Sequence, residues 1–121
     1  MRGILAAGVV LVAGLAGCMS STARLASQQM TETKSAIGLA EEAGAAQSER
    51  AALHLRMARE QLYQARKLLE EGDDKQATAV LRHAKQDAQR SLQIARAQRE
   101  QEQWDLKQAP QSKPVMGQQG R

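Results

Sequence analysis

Small and apolar residues return at alternating intervals of four and three along most of this chain. One stripe runs through Ala26, Met30, Thr33, Ile37, Ala40 and Gly44, a second through Ala51, Leu55, Ala58, Leu62, Ala65 and Leu69, and a third through Ala77, Leu81, Ala84, Ala88, Ser91 and Ala95. This is the spacing of helices that bury one seam against a neighbour, and the period-two alternation of strands is absent. The residues between the stripes are Gln, Glu, Arg and Lys, which are good helix formers, and no proline occurs between Ser20 and Ala109. The pattern breaks twice, around Gly44 with Gln47-Ser48 and at Gly72-Asp73-Asp74. It therefore predicts helix 1 over 21–46, helix 2 over 49–71 and helix 3 over 74–105.

The breaks carry their own chemistry. Gly72 suits the left-handed conformation that closes a helix, and Asp73 suits the N-cap of the next, with Gln76 three residues on as in a capping box. Ser48 is the expected cap of helix 2, with Glu49 in its first turn facing the positive end of the helix dipole. Short turns make successive helices antiparallel. Leucine alternating with alanine lets backbones approach closely, so the alanine seam of helix 3 calls for a bulky row such as Leu55, Leu62 and Leu69. The expected fold is all-α, either an antiparallel helical hairpin with an N-terminal arm or a three-helix, coiled-coil-like bundle. The helical domain is expected over 23–107, followed by a disordered tail over 108–121, where two prolines and two glycines interrupt any periodicity. Helix 3 is expected to outrun helix 2 and to leave Trp104 and Leu106 without an internal partner, a candidate contact site.

The first seventeen residues follow a different rule. Arg2 precedes an uncharged stretch from Gly3 to Gly17 in which Ile4, Leu5, Val9, Val10, Leu11, Val12 and Leu15 lie among alanines and glycines. A positive residue before an apolar run shorter than the ~20 residues of a membrane-spanning helix is the pattern of a signal peptide. That assigns 1–17 to the signal and 18–22 to a linker.

Leu15-Ala16-Gly17-Cys18, at the end of that run, resembles the lipobox of bacterial lipoproteins at all four positions. The resemblance implies cleavage between Gly17 and Cys18, covalent diacylglycerol on the Cys18 thiol and an N-acyl chain on the new amine. At about 0.8 kcal/mol per buried methylene, two or three chains anchor a protein stably where one is marginal. The alternative is an ordinary secretory signal with a free or intermolecularly paired Cys18, and the single cysteine allows no internal disulfide. Aspartate directly after the lipidated cysteine favours inner-membrane retention in Gram-negative lipoproteins, and here Met19 and Ser20 follow. The implied address is the outer membrane, facing the periplasm, with the outer face of the cytoplasmic membrane as the alternative.

Further along, Ser35-Ala36-Ile37, Ala43-Gly44-Ala45-Ala46, Leu62 with Ala65, Gly72-Asp73, Ala77, Asp87-Ala88 and Ala95 resemble a family of short helical envelope lipoproteins of unknown function. In that family the same hairpin sometimes precedes an OmpA-like domain. Its members often carry Ala-Pro before helix 2 where this chain has Glu49-Arg50, and peptidoglycan binding is not carried over. The Gly72-Asp73 turn with Ala77, Leu81 and Ala84 is also similar to a tetratricopeptide hairpin, although a solenoid needs about three stacked units.

Composition narrows the function. The chain has 121 residues, one tryptophan, one tyrosine, no phenylalanine and a net charge of +4. After the signal, 18 of the apolar residues are alanine, so the core must be thin and a deep, water-excluding catalytic cavity is not expected. His54 and His83 are the only histidines and have no ligand spacing around them, so no metal site is expected. Glu41-Glu42 and Glu70-Glu71 are adjacent on their helices and face different directions, and Asp73-Asp74 belongs to a cap, which argues against a hydrolytic carboxylate pair. Tyr63 reads as an edge-of-core residue.

Charge is uneven. Residues 32–74 carry nine acids against six bases, whereas 75–99 carry Lys75, Arg82, Lys85, Arg90, Arg96 and Arg99 against Asp87 alone. Helix 3 is either a docking face for an anionic partner or a solvated face paired with acids of helices 1 and 2. Arg82, Lys85, Arg90 and Trp104 are the candidate contact residues. The sequence thus leads to a non-enzymatic structural or adaptor role, anchored to the membrane by lipid. Contact would be with an envelope protein or another copy of the chain, without cofactor, nucleic acid or small-molecule substrate. The alternative is a cell-wall or anionic-polymer-binding module acting through helix 3.

Overall fold

A computed structural model describes residues 20–109. Helix α1 spans Ser21–Glu42, a 3-10 turn spans Ala45–Gln47, α2 spans Glu49–Glu70 and α3 spans Asp74–Gln108. Among the described residues there is no strand, and no helix is long and apolar enough to cross a membrane. The expected signal, Leu15, Ala16, Gly17, Cys18 and the chain from Pro110 onward lie outside the described residues.

Each boundary has a local cause. Ser20 caps α1 by accepting from the Ala23 amide at 3.2 Å. Ser48 does the same for α2 through Ala51 at 3.3 Å, and Asp73 for α3 through Gln76 at 3.0 Å. The α2–α3 turn is a Schellman motif: Gly72 has φ +81°, its amide donates to Leu69 and the Asp73 amide donates to Leu68. Both expected caps and the Gly72 conformation are therefore present. Helix α1 stops four residues short of the expected 46, because Gly44 takes φ +79° and passes the chain into the 3-10 turn. Helix α3 runs three residues beyond the expected 105, so Gln108, expected in the tail, is helical. At the other end α1 begins inside the expected 18–22 linker.

The three helices form an up-down-up bundle with α3 at its centre, packed on both neighbours, while α1 and α2 touch each other little. Ser91 Oγ donates to the Ala51 carbonyl at 2.7 Å and fixes the antiparallel register of α2 and α3. Counting away from that bond in opposite directions brings Ala58 level with Ala84, and Ala65 level with Ala77, all fully buried. On the other side Thr33 Oγ1 donates to the Leu81 carbonyl at 3.1 Å and Lys85 Nζ meets Glu32 at 2.6 Å, so α1 runs parallel to α3.

The core matches the three stripes closely. Ala26, Thr33, Ile37 and Ala40 are buried in α1, Ala51, Leu55, Ala58 and Ala65 in α2, and all six stripe residues in α3. Leu62 packs against the core while half-exposed, and Leu69 is half-buried. Among the described residues only Ile37, Leu55 and Leu81 are large apolar side chains inside, so cohesion comes from close backbone approach between alanine rows. The buried hydroxyls of Thr33 and Ser91 both donate to carbonyls of the facing helix, which spares the bundle unpaired polar groups in a thin core.

Candidate functional site

The seam ends before α3 does. Ala95 is the last buried residue among those described, and every residue from Arg96 to Ala109 is exposed, because α1 and α2 have by then turned at Gly44 and Ser48. At 1.5 Å per residue this leaves about 20 Å of single helix projecting beyond the bundle. It carries Trp104 at 59% and Leu106 at 73% exposure, as expected of an overhang. The projection leaves from the end opposite Ser20 and the Gly72 turn, which sit together at the other pole. Trp104 stands about 45 Å from that pole.

Position around α3 sorts the basic residues. At about 100° per residue Arg82, Arg90 and Trp104 fall within roughly 80° of one another on the outer surface of α3, turned away from both neighbours. All three are exposed. Lys85 points elsewhere: it faces α1 and pairs with Glu32, which also accepts from Gln28 Nε2 at 2.9 Å. The Lys85 ammonium, with the Gln28 amide, holds the Glu32 carboxyl below its usual range. Three of the four candidate contact residues thus share a face, and the fourth ties α1 to α3.

The single acid of the basic stretch is likewise occupied. Asp87 Oδ1 lies 3.0 Å from His54 Nδ1 and Oδ2 accepts from Gln61 Nε2 at 3.1 Å, a half-buried cluster joining α2 to α3. The oxygen of that amide, Gln61 Oε1, is buried without a hydrogen-bond partner among the described residues. His83 is exposed, and among the described residues no three His, Cys, Asp or Glu side chains converge in a way that could hold a metal. Of the paired acids, Glu41 bonds Arg59 across the α1–α2 side, and Asp73 serves as a cap. Tyr63 is not at the edge of the core: it is 60% exposed, and Lys67, one turn on, lies 4.9 Å above its ring.

Two apolar features escaped the sequence reading. A groove between α1 and α3, on the side away from α2, is lined by Ala36, Leu39, Gln89 and Leu92 and closed at its lower end by the Glu32–Lys85 pair. Leu53 and Met57, one turn apart, form an exposed ridge on α2. Both involve apolar residues off the main stripes, and an interruption of the polar face by Leu39, Leu53 and Met57 was the available signal.

No protein-family model matches this chain, and no curated protein or solved structure matches it either.

Proposed function

We propose that the chain is a lipid-anchored envelope protein with a non-enzymatic structural or adaptor role, acting through helix–helix contact. The observation that carries this reading is the projecting end of α3, a long exposed helix that displays Trp104 and Leu106 at the pole farthest from the N-terminal cap. Acylation of Cys18 by the lipobox-like Leu15-Ala16-Gly17-Cys18 would place the lipid two residues before Ser20. The Ser20 and Gly72 pole would then sit at the membrane and α3 would reach some 45 Å away from it. Such an arrangement holds a helical contact surface at fixed height and high local concentration. The outer membrane, periplasmic face, is the proposed location.

Photo-crosslinking in living cells from probes at Trp104, Leu106 and Arg90 tests the role. A discrete adduct with an envelope protein or with a second copy supports it, and absence of any protein adduct overturns it. Replacement Cys18→Ala tests the anchor: the precursor should stay uncut or the product unlabelled by radioactive palmitate. Unchanged membrane retention would count against the lipobox.

A second reading draws on the shared face of Arg82, Arg90 and Trp104, which suits an anionic polymer such as cell wall or lipopolysaccharide phosphate. Salt-sensitive co-sedimentation with purified cell wall, lost in Arg82→Glu with Arg90→Glu, would favour it.

A further inference from the structure

We infer that copies of this chain associate side by side, the α2 ridge of one seated in the α1–α3 groove of the next, to form open rows in the plane of the membrane. The inference deepens the structural role above and rests on the proposed anchor for the common height of the copies. Three observations carry it.

The two surfaces lie at the same level. The Ser91–Ala51 bond sets Leu53 level with residue 89 of α3 and Met57 level with residue 85. The Lys85–Glu32 pair sets Leu39, two turns above Glu32, level with Leu92. Ridge and groove thus cover the same band of the bundle, and upright copies would meet without sliding.

Shape and polarity match as well. The groove offers about 440 Å³ between Leu39 and Leu92, over a floor that includes Ala36, enough for the tips of a leucine and a methionine. Leu39, Leu53 and Met57 are 45%, 46% and 37% exposed, so burying them removes from water the apolar area that the thin core leaves outside. Charges flank the strip in complementary order. Arg50, beside Leu53 at the upper end of α2, and Glu42, beside Leu39 at the upper end of α1, are exposed and form no ion pair among the described residues. Seated side by side, Arg50 of one copy lies within about 5 Å in height of Glu42 of the next, inside the reach of its side chain.

Finally, ridge and groove are different surfaces on different helices. A contact between them is heterologous, so every seated pair leaves one ridge and one groove free, and the contact propagates. The projecting ends of α3 would then stand in line along one edge of that row.

The test is disulfide trapping in living cells with the full chain carrying both Ser35→Cys, in the groove lining at about the height of Met57, and Met57→Cys, with palmitate labelling followed in the same cells. Bridging requires Cα atoms within about 7 Å. The expected result is a ladder of dimers, trimers and longer adducts, together with a mixed adduct when each cysteine is supplied on a differently tagged copy. Ser35→Cys combined with Trp104→Cys, about 24 Å higher, should give no ladder. Leu53→Glu in the double-cysteine chain should cut the ladder at least about tenfold, since a charge would be buried against the groove. Because Leu53 is half-exposed, that variant keeps its helical circular dichroism. Adducts confined to dimers, an equal yield from the Trp104 pair, or a ladder indifferent to Leu53→Glu would each overturn the row. A missing ladder with palmitate label present refutes the row alone. Loss of label, with adducts of the unsubstituted chain through Cys18, refutes the anchor instead.

Discussion

Leu81 and Leu106 lie in one helix, and truncating each to alanine removes the same three carbons, yet the consequences should differ by more than tenfold in the folding equilibrium. Leu81 is fully buried in α3, its carbonyl taking the Thr33 hydroxyl of α1. Replacement by alanine keeps that backbone bond, so the loss is one of packing. Three carbons at ~0.8 kcal/mol each give about 2.4 kcal/mol of lost transfer free energy. A residual void of ~30 Å³ at ~24 cal/mol per Å³ adds about 0.7 kcal/mol, for a total near 3 kcal/mol. Leu106→Ala, at 73% exposure on the projection, should change stability by less than about 0.5 kcal/mol. Urea unfolding of the full chain in mild detergent, followed by far-ultraviolet circular dichroism, measures both. Trp104 fluorescence is the wrong probe, because that ring stands outside the core. A cost below about 1 kcal/mol for Leu81→Ala would refute the argument that this bundle depends on its few large buried side chains. A comparable cost for Leu106→Ala would refute the exposed projection.

Ser91→Ala and Thr33→Val should each cost about 1 kcal/mol in the same unfolding experiment, because each deletes an interhelical hydrogen bond while leaving a carbonyl still bonded within its own helix. Gly72→Ala should cost about 1 kcal/mol from conformation alone, since φ +81° is unfavourable for alanine while the added carbon meets nothing within 4 Å; a neutral result would contradict the left-handed turn. The Glu32 carboxyl is held below its usual range by Lys85, so its link between α1 and α3 contributes above the unfolded-state value near pH 4 and is lost as acid takes the pH down through the lower folded value. Carboxyl titration by nuclear magnetic resonance should show Glu32 moving back toward the usual range in Lys85→Met, and a curve unchanged by that substitution would refute the pairing.

The sequence by itself determined most of the inward face, although Met30 and Gly44 of the first stripe are only half-buried and Ala36, Ala45 and Thr78 are buried off the stripes. Every stripe residue of α3 is buried, and Ser48, Gly72 and Asp73 close or open their helices as their chemistry requires, because both burial period and capping depend on spacing along one backbone. The overhang was legible for the same reason: past Ala95 the three-four stripe offers only Leu106 among charged and amide residues. Tertiary structure decided the rest. Helix α1 ends at Glu42 because Gly44 commits to a left-handed turn that lets α2 fold back, a choice the helix-forming residues Ala45 and Ala46 conceal. Only the bundle could show that Lys85 is taken by Glu32 while Arg82 and Arg90 remain on the outside with Trp104, since the four differ in sequence by position alone and in space by which helix stands opposite. Tyr63 illustrates the same limit, since its spacing fits a core edge but α1 does not cover it. The overlapping heights of the Leu39 groove and the Leu53–Met57 ridge arise from the relative placement of three helices, and placement between helices is not written in the period of any one of them.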